Sequence, residues 1–213
     1  MELTWLAHAC FRIRSREAVV ITDPPGKEWG SLGPLQADIV TISHRHPGHG
    51  NAEAVTGDPL VVERPGEYEI RDVAIRGIAT YHDGDKGQRL GKNTVFLLEM
   101  EAMTLCHLGD LGHVPSATQT EELGNVDVLL LPVGGGSTID ATKAAETVSL
   151  ITPKIVVPMH YQDQRVRTDL ESLDRFLKEM GISEARPQQR LNISKSQLPA
   201  ETQVVVLERR RQT

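Results

Sequence analysis

Three histidines, His44, His46 and His49, fall within six residues, directly after the β-branched run Ile39, Val40, Thr41 and Ile42. In extended backbone, side chains two apart point the same way, so His44 and His46 can aim at one point in space. Pro47, Gly48 and Gly50 then break the strand, and His49 can return to the same region after the turn. Neutral imidazole is the commonest metal-ligating side chain, so this strand end reads as a preformed cation site. The other histidines, His8, His82, His107, His113 and His160, also fall at or just beyond the ends of strand-like segments. In layered α/β folds such ends share a crevice in which ligands bind. Asp110 is the natural anionic companion: Gly109 before it lets the backbone approach closely, and a carboxylate among imidazoles can bridge two cations or fix one. Asp23 also ends a strand, where it can bind metal or orient the free ring N–H of a ligand.

These residues require strands to carry them. Glu2–Ala7, Cys10–Arg14 and Ala18–Thr22 read as closely spaced strands of an antiparallel meander. Positions 23–36 form a Gly/Pro-rich excursion of the kind that walls a site. Leu60–Glu63 and Val73–Thr80 are strand-like, separated by a hairpin-like P-G-E-Y-E, and Thr94–Met100 and Met103–Leu108 follow. Beyond Pro115 the period changes: Ser116–Leu123 and Asp140–Leu150 read as helices, Val126–Leu131 and Lys154–Val157 as apolar strands, and Thr168–Met180 as an amphipathic helix stopped by Gly181. Leu191–Ile193 and Gln203–Leu207 close the chain as strands. Apolar strands of this type are buried on both faces and need helices over the sheet. The expectation is one α/β domain over residues 1–213, β-rich first and alternating later.

Composition narrows the function. A chain of 213 residues with 39% hydrophobic and 24% charged residues is ordinary for a globular protein. A net charge of −6 and a pI near 5.8 argue against a general nucleic-acid binder, which needs a basic surface. The run Arg209–Arg211 reads as a solvated tail. Cys10 and Cys106 each lie in an apolar strand-like run and indicate no disulfide framework. The sequence M-E-L-T-W-L-A-H has no signal-peptide pattern, and no apolar run nears the roughly 18 to 20 residues of a membrane span, so the expected location is the cytoplasm. The expected partner is a small-molecule substrate, with self-association left open.

The order H-x-H-x-x-H (His44, His46, His49), T-Y-H-D (His82), G-D (Asp110) and P-M-H (His160) resembles the metallo-β-lactamase-fold hydrolases. With W-L-A-H-A-C-F, I-T-D-P and L-L-L-P-V-G-G-G-S-T-I-D, it is most similar to the small metal-dependent hydrolases that resemble the ascorbate-phosphate lactonases, over roughly residues 3 to 161. The resemblance implies a four-layer αββα sandwich with metals at one edge. It implies His44, His46 and His82 at a first metal, His49 and His160 at a second, and Asp110 between them. His107 matches no usual ligand and is expected to support the site without ligating. His8 and His113 are expected to touch substrate or relay a proton.

One position departs from that family. Its first motif is usually H-x-H-x-D-H, and Gly48 stands where the aspartate belongs. A weaker second site, a single-metal enzyme, or a carboxylate from elsewhere, with Asp83, Asp85 and Asp163 as candidates, would each follow. An aspartate restored at position 48 is expected to strengthen a second site. The implied chemistry is hydrolysis of an ester, lactone, amide or phosphoester by metal-activated water, with Zn or Mn as the expected ion and Fe as an alternative. A catalytic function for Asp110, His8 and His113, and substrate binding by Gly134, Gly135 and Gly136 through backbone N–H groups, complete the expectation. The alternatives are a non-catalytic metal-binding module and a single-metal iron oxygenase.

Overall fold

Alternation along the first strands sorts side chains onto two faces. Leu3, Trp5, Phe11, Ile13, Val20 and Ile39 point into the main core, while Leu6, Cys10, Ile21, Val40 and Ile42 form a second apolar cluster on the other face. The computed structural model describes residues 1–30, 32–163, 165–166 and 169–210.

The first sheet runs in the order Leu191–Asn192, Glu2–Ala7, Cys10–Arg14, Val19–Thr22, Ile39–Thr41 and Leu60–Val62. The second runs Gln203–Val204, Ile155–Met159, Val128–Pro132, Met103–His107, Lys92–Met100, Val73–Tyr81 and Gly66–Ile70. The main core fills the space between the two sheets and continues under the helices Ala117–Leu123, Ala141–Ile151 and Leu173–Glu179, which contribute Leu123, Ala144, Val148, Ile151 and Phe176. Ser116 caps the first helix in a reciprocal capping box with Gln119, and Asp140 caps the second by accepting the Lys143 N–H at 2.9 Å. On the far face of the first sheet, the outer layer is reduced to short 3-10 turns and the ribbon that pairs Leu35–Gln36 with Val55–Thr56; Leu35, Ala37 and Val55 close the second cluster there. The architecture is the expected αββα sandwich with one thin outer layer.

Strand direction positions the site. Val19–Thr22 and Ile39–Thr41 are parallel to each other, as are Met103–His107, Val128–Pro132 and Ile155–Met159. Glu2–Ala7 and Val73–Tyr81 each reach the same direction through one antiparallel neighbour. Their carboxyl ends therefore share one edge, and the loops that follow carry His8, Asp23, His44, His82, Asp110 and His160.

Three expectations are corrected. P-G-E-Y-E is not a connection: Gly66–Ile70 is an edge strand paired antiparallel with Val73–Tyr81, and the turn falls at Arg71 and Asp72, both left-handed (φ 53° and 59°). The helix expected over 168–180 spans Leu173–Glu179, because the Glu171 N–H donates to the Gly134 carbonyl (2.8 Å) and its carbonyl accepts the Gln162 N–H (2.9 Å), which holds this stretch against the neighbouring loop. Thr168 lies outside the described residues. Arg209 is not in a solvated tail: it is buried, its guanidinium bridging Asp163 and the carbonyls of Leu6 and Trp29, while Arg211 lies outside the described residues. Cys10 and Cys106 are free and buried. Among the described residues, no helix is long and apolar enough to cross a membrane.

Candidate metal centre

The centre is built around one carboxylate oxygen. The Nε2 atoms of His49, His160, His82 and His44 lie 3.1, 3.2, 3.4 and 3.7 Å from Asp110 Oδ2. Asp110 is buried, and its position is set from behind: Asn93 Oδ1 accepts the Asp110 N–H at 3.0 Å, while Asn93 Nδ2 donates to Thr80 Oγ1 and the Leu108 carbonyl. Gly109 makes this possible. It is left-handed (φ 57°), and a Cβ there would lie 2.4 Å from Ser43 Cβ.

Three of these imidazoles have their tautomer dictated by the other ring nitrogen. His49 Nδ1–H donates to Asp23 Oδ2 (2.9 Å), His82 Nδ1–H to the Ser137 carbonyl (3.2 Å), and His44 Nδ1–H to Ser43 Oγ (2.9 Å), whose own hydroxyl donates to Asp23. Each arrangement turns Nε2 toward Asp110. Asp23 is fully buried, takes the Ser43 N–H as well (2.7 Å), and holds the His49 ring in place, while one of its oxygens also lies close enough to His44 and His49 to share a cation with them. His46 is exposed, its ring 4.6 Å from that of His44 and 5.0 Å from that of His82, so these three can close on one point from the solvent side.

The electrostatics suit a cation. Burial first, then the neighbouring His49, hold the His44 imidazole down at about 3. For His49 burial opposes protonation, but Asp110 and Asp23 outweigh it and raise the ring to about 10. Burial works against ionised Asp110 too, yet the His160 and His49 rings keep its carboxyl well below the usual range. Buried His44 Nε2 and Asp110 Oδ1 have no hydrogen-bond partner, an arrangement that is costly without a further ligand. The donor set therefore fits divalent metal in two lobes sharing Asp110: His44, His46 and His82 on one side, His49 and His160 on the other.

Other expected residues are placed differently. His113 lies outside the centre, with Nδ1–H donating to the Val114 carbonyl (2.9 Å) and Nε2 accepting the Tyr81 N–H (3.4 Å). His107 is buried and donates Nε2–H to the Ala9 carbonyl (2.9 Å), bracing the turn that carries His8. The Gly48 gap is not filled by the carboxylates named for it. Asp83 spends both oxygens on the N–H groups of Asp85, Gly87, Arg89 and Leu90, and Asp163 pairs with Arg209; Asp85 is exposed. In the glycine loop, the Gly135 N–H already donates to the Ile139 carbonyl (3.2 Å), and a Cβ at Gly134 would lie 2.2 Å from the His160 carbonyl oxygen. Gly134 and Gly135 thus pack the wall, and only Gly136 lines the cavity of about 370 Å³ over the centre. Trp29, Leu90, Ser137, Asp169 and Leu170 line it as well. Sequence reasoning gave no separate part to these residues, to Ser43 or to Asn93; the available signal was a polar Asn93 leading into the apolar run of Val95, Phe96, Leu97 and Leu98.

A sandwich that gathers imidazoles around one carboxylate at its strand ends defines the class as a metallohydrolase-type domain, and residues 2–160 match the family described as the β-lactamase superfamily domain. A UPF0173 protein of Pyrococcus furiosus is 31% identical over 185 residues, covering 76% of this chain and 83% of that protein. A UPF0173 metal-dependent hydrolase of Methanoculleus marisnigri is 30% identical over 201 residues, covering 83% and 88%. A crystal structure from Thermotoga maritima, provisionally assigned as a Zn-dependent hydrolase of the metallo-β-lactamase superfamily, is 37% identical with a TM-score of 0.81 and covers 97% of each chain. The chain belongs to the β-lactamase superfamily and, within it, to the UPF0173 group.

Proposed function

We propose that this protein is a hydrolase that uses two divalent cations to activate water against a small ester, lactone, amide or phosphoester. The observation that carries this reading is the convergence of the Nε2 atoms of His44, His49, His82 and His160 on Asp110 Oδ2. His44, His46, His82 and Asp110 would hold one ion, and His49, His160 and Asp110 the other. Bound there, the ions supply Lewis acidity, lowering the pKa of a coordinated water and polarising the bond to be cleaved. The chain does the rest. Asp23, Ser43 and the Ser137 carbonyl fix the imidazole tautomers, Asn93 fixes Asp110, and Trp29, Leu90 and Leu170 offer an apolar wall to a small substrate. Zinc is the favoured ion, because the donor set is rich in imidazole; manganese and iron are the alternatives.

The test is a panel of phosphoesters, lactones, esters and amides assayed on chelated protein reloaded with zinc, manganese or iron. Turnover in one class, lost on chelation and restored by metal, is expected. Exposed His46→Ala should abolish it without unfolding the protein, since its ring is packed in no core. Metal-loaded protein inert toward the whole panel would favour the non-catalytic module instead.

A further inference from the structure

We propose that His8 is a ligand of the second metal, taking the place of the carboxylate that position 48 lacks. This rests on the two-cation reading. A Cβ built on Gly48 would lie 3.1 Å from His8 Cδ2, 3.2 Å from His8 Nε2 and 3.3 Å from Trp29 Nε1. The His8 imidazole therefore borders the space into which a side chain at position 48 would project, closely enough that it would have to shift to admit one. His8, His49, Asp110 and His160 each present one donor atom within 4.8 Å of the others, and the His8 ring centre lies 4.0 Å from that of His160 and 4.8 Å from that of His49. The ring is buried, and its Nδ1 has no hydrogen-bond partner.

The backbone points the same way. His8 occupies the two-residue turn between the paired residues Ala7 and Cys10 and is left-handed there (φ 53°), an uncommon conformation for a residue other than glycine. The turn is nonetheless clamped: the His8 carbonyl accepts Trp5 Nε1–H (2.9 Å) and the His160 N–H (3.2 Å), and Trp29 stacks on the imidazole with 3.8 Å between ring centres. A turn held this firmly delivers the ring to the gap beside Gly48. The resulting donor set is three imidazoles and one carboxylate, less negative by one charge than the carboxylate-bearing motif. It favours zinc over manganese. A histidine serving only as packing for Trp29 would leave metal binding untouched when replaced.

His8→Asn keeps a side chain that tolerates the left-handed turn but shortens its reach. Zinc and manganese titrations, with elemental analysis, compare wild type, H8N and the double variant H8N/G48D, with melting of the chelated proteins as the control for folding. Wild type should hold two zinc ions per chain. H8N should keep one, with the second bound at least about tenfold more weakly. H8N/G48D should regain the second ion and bind manganese better relative to zinc, whereas G48D alone should gain less, since the His8 ring blocks the new carboxylate. Should H8N fail to fold, wild type alone decides by ¹⁵N-histidine NMR: zinc loading should shift six of the eight imidazoles, all but His107 and His113. Two zinc ions held by H8N with wild-type affinity, or an unshifted His8 ring, would overturn the assignment of His8 and leave the hydrolase reading standing. Fewer than two ions in wild type would overturn both.

Discussion

Asp23 acts on the centre through His49 and Ser43, so its replacement separates orientation from ligation. Asp23→Asn keeps the shape but loses the charge that fixes the His49 Nδ1–H, and metal affinity should fall 10- to 100-fold. Competition against a chelator measures this, and unchanged affinity would show that the ring needs no such guide. Asn93→Ala leaves the Asp110 N–H and the Leu108 carbonyl without partners, at a cost of roughly 1–3 kcal/mol in chemical denaturation, and it should also weaken metal binding. A variant that lost stability but kept full metal affinity would limit Asn93 to the fold. His44, His46, His49, His82, His160 and Asp110 were legible because ligand chemistry restricts residue type and spacing carries them to strand ends. Ser43 and Asn93 were not, because a serine or asparagine becomes informative only when its partner, 20 and 17 positions away respectively, is known. His113 misled for the opposite reason. Its position along the chain matched the pattern, but its ring is spent on the backbone of Tyr81 and Val114.

At the scale of elements, the clustered histidines and Asp110 hang from loops at the carboxyl ends of co-directional strands, and the C-terminal segment ties those loops together. The Arg209 guanidinium joins the Leu6 carbonyl at the end of the first strand, the Trp29 carbonyl in the excursion over the site, and Asp163 just past His160. Arg209→Ala leaves the half-buried Asp163 without its cation and the Leu6 and Trp29 carbonyls without their donor, and should cost about 2 kcal/mol by denaturant unfolding; a loss below about 0.5 kcal/mol would mean the tie is ornamental. The buried strands were readable from alternation or unbroken apolar runs, and the helices over 117–123 and 141–151 from their caps at Ser116 and Asp140. The strand Gly66–Ile70 was not, because Gly66, Glu67 and Glu69 face solvent at a sheet edge and a glycine beside acidic residues reads as a turn. The ribbon of Leu35–Gln36 with Val55–Thr56 was hidden too, since two-residue strands carry no period.

For the whole molecule, the buried histidines couple folding to pH when metal is stripped. Burial lowers the rings of His8, His44, His82 and His107, so each takes up a proton less readily in the fold than in the unfolded chain, which protonates near 6.5. Below that pH the unfolded state binds more protons, and stability falls as pH drops; His44, held at about 3, alone costs about 2 kcal/mol at pH 5. His49 works in reverse. Raised to about 10, its contribution is complete below 6.5 and is lost as pH rises through 10. Four rings outweigh one, so the melting temperature of chelated protein should decline from pH 7 to pH 5, and a rise over that interval would mean the imidazoles are charged in the fold. The most direct test of the central claim is anomalous diffraction at the zinc edge from crystals of zinc-loaded protein. Two peaks flanking Asp110 are predicted, one among His44, His46 and His82 and one beside His49 and His160. Peaks elsewhere on the surface, with none at Asp110, would contradict it.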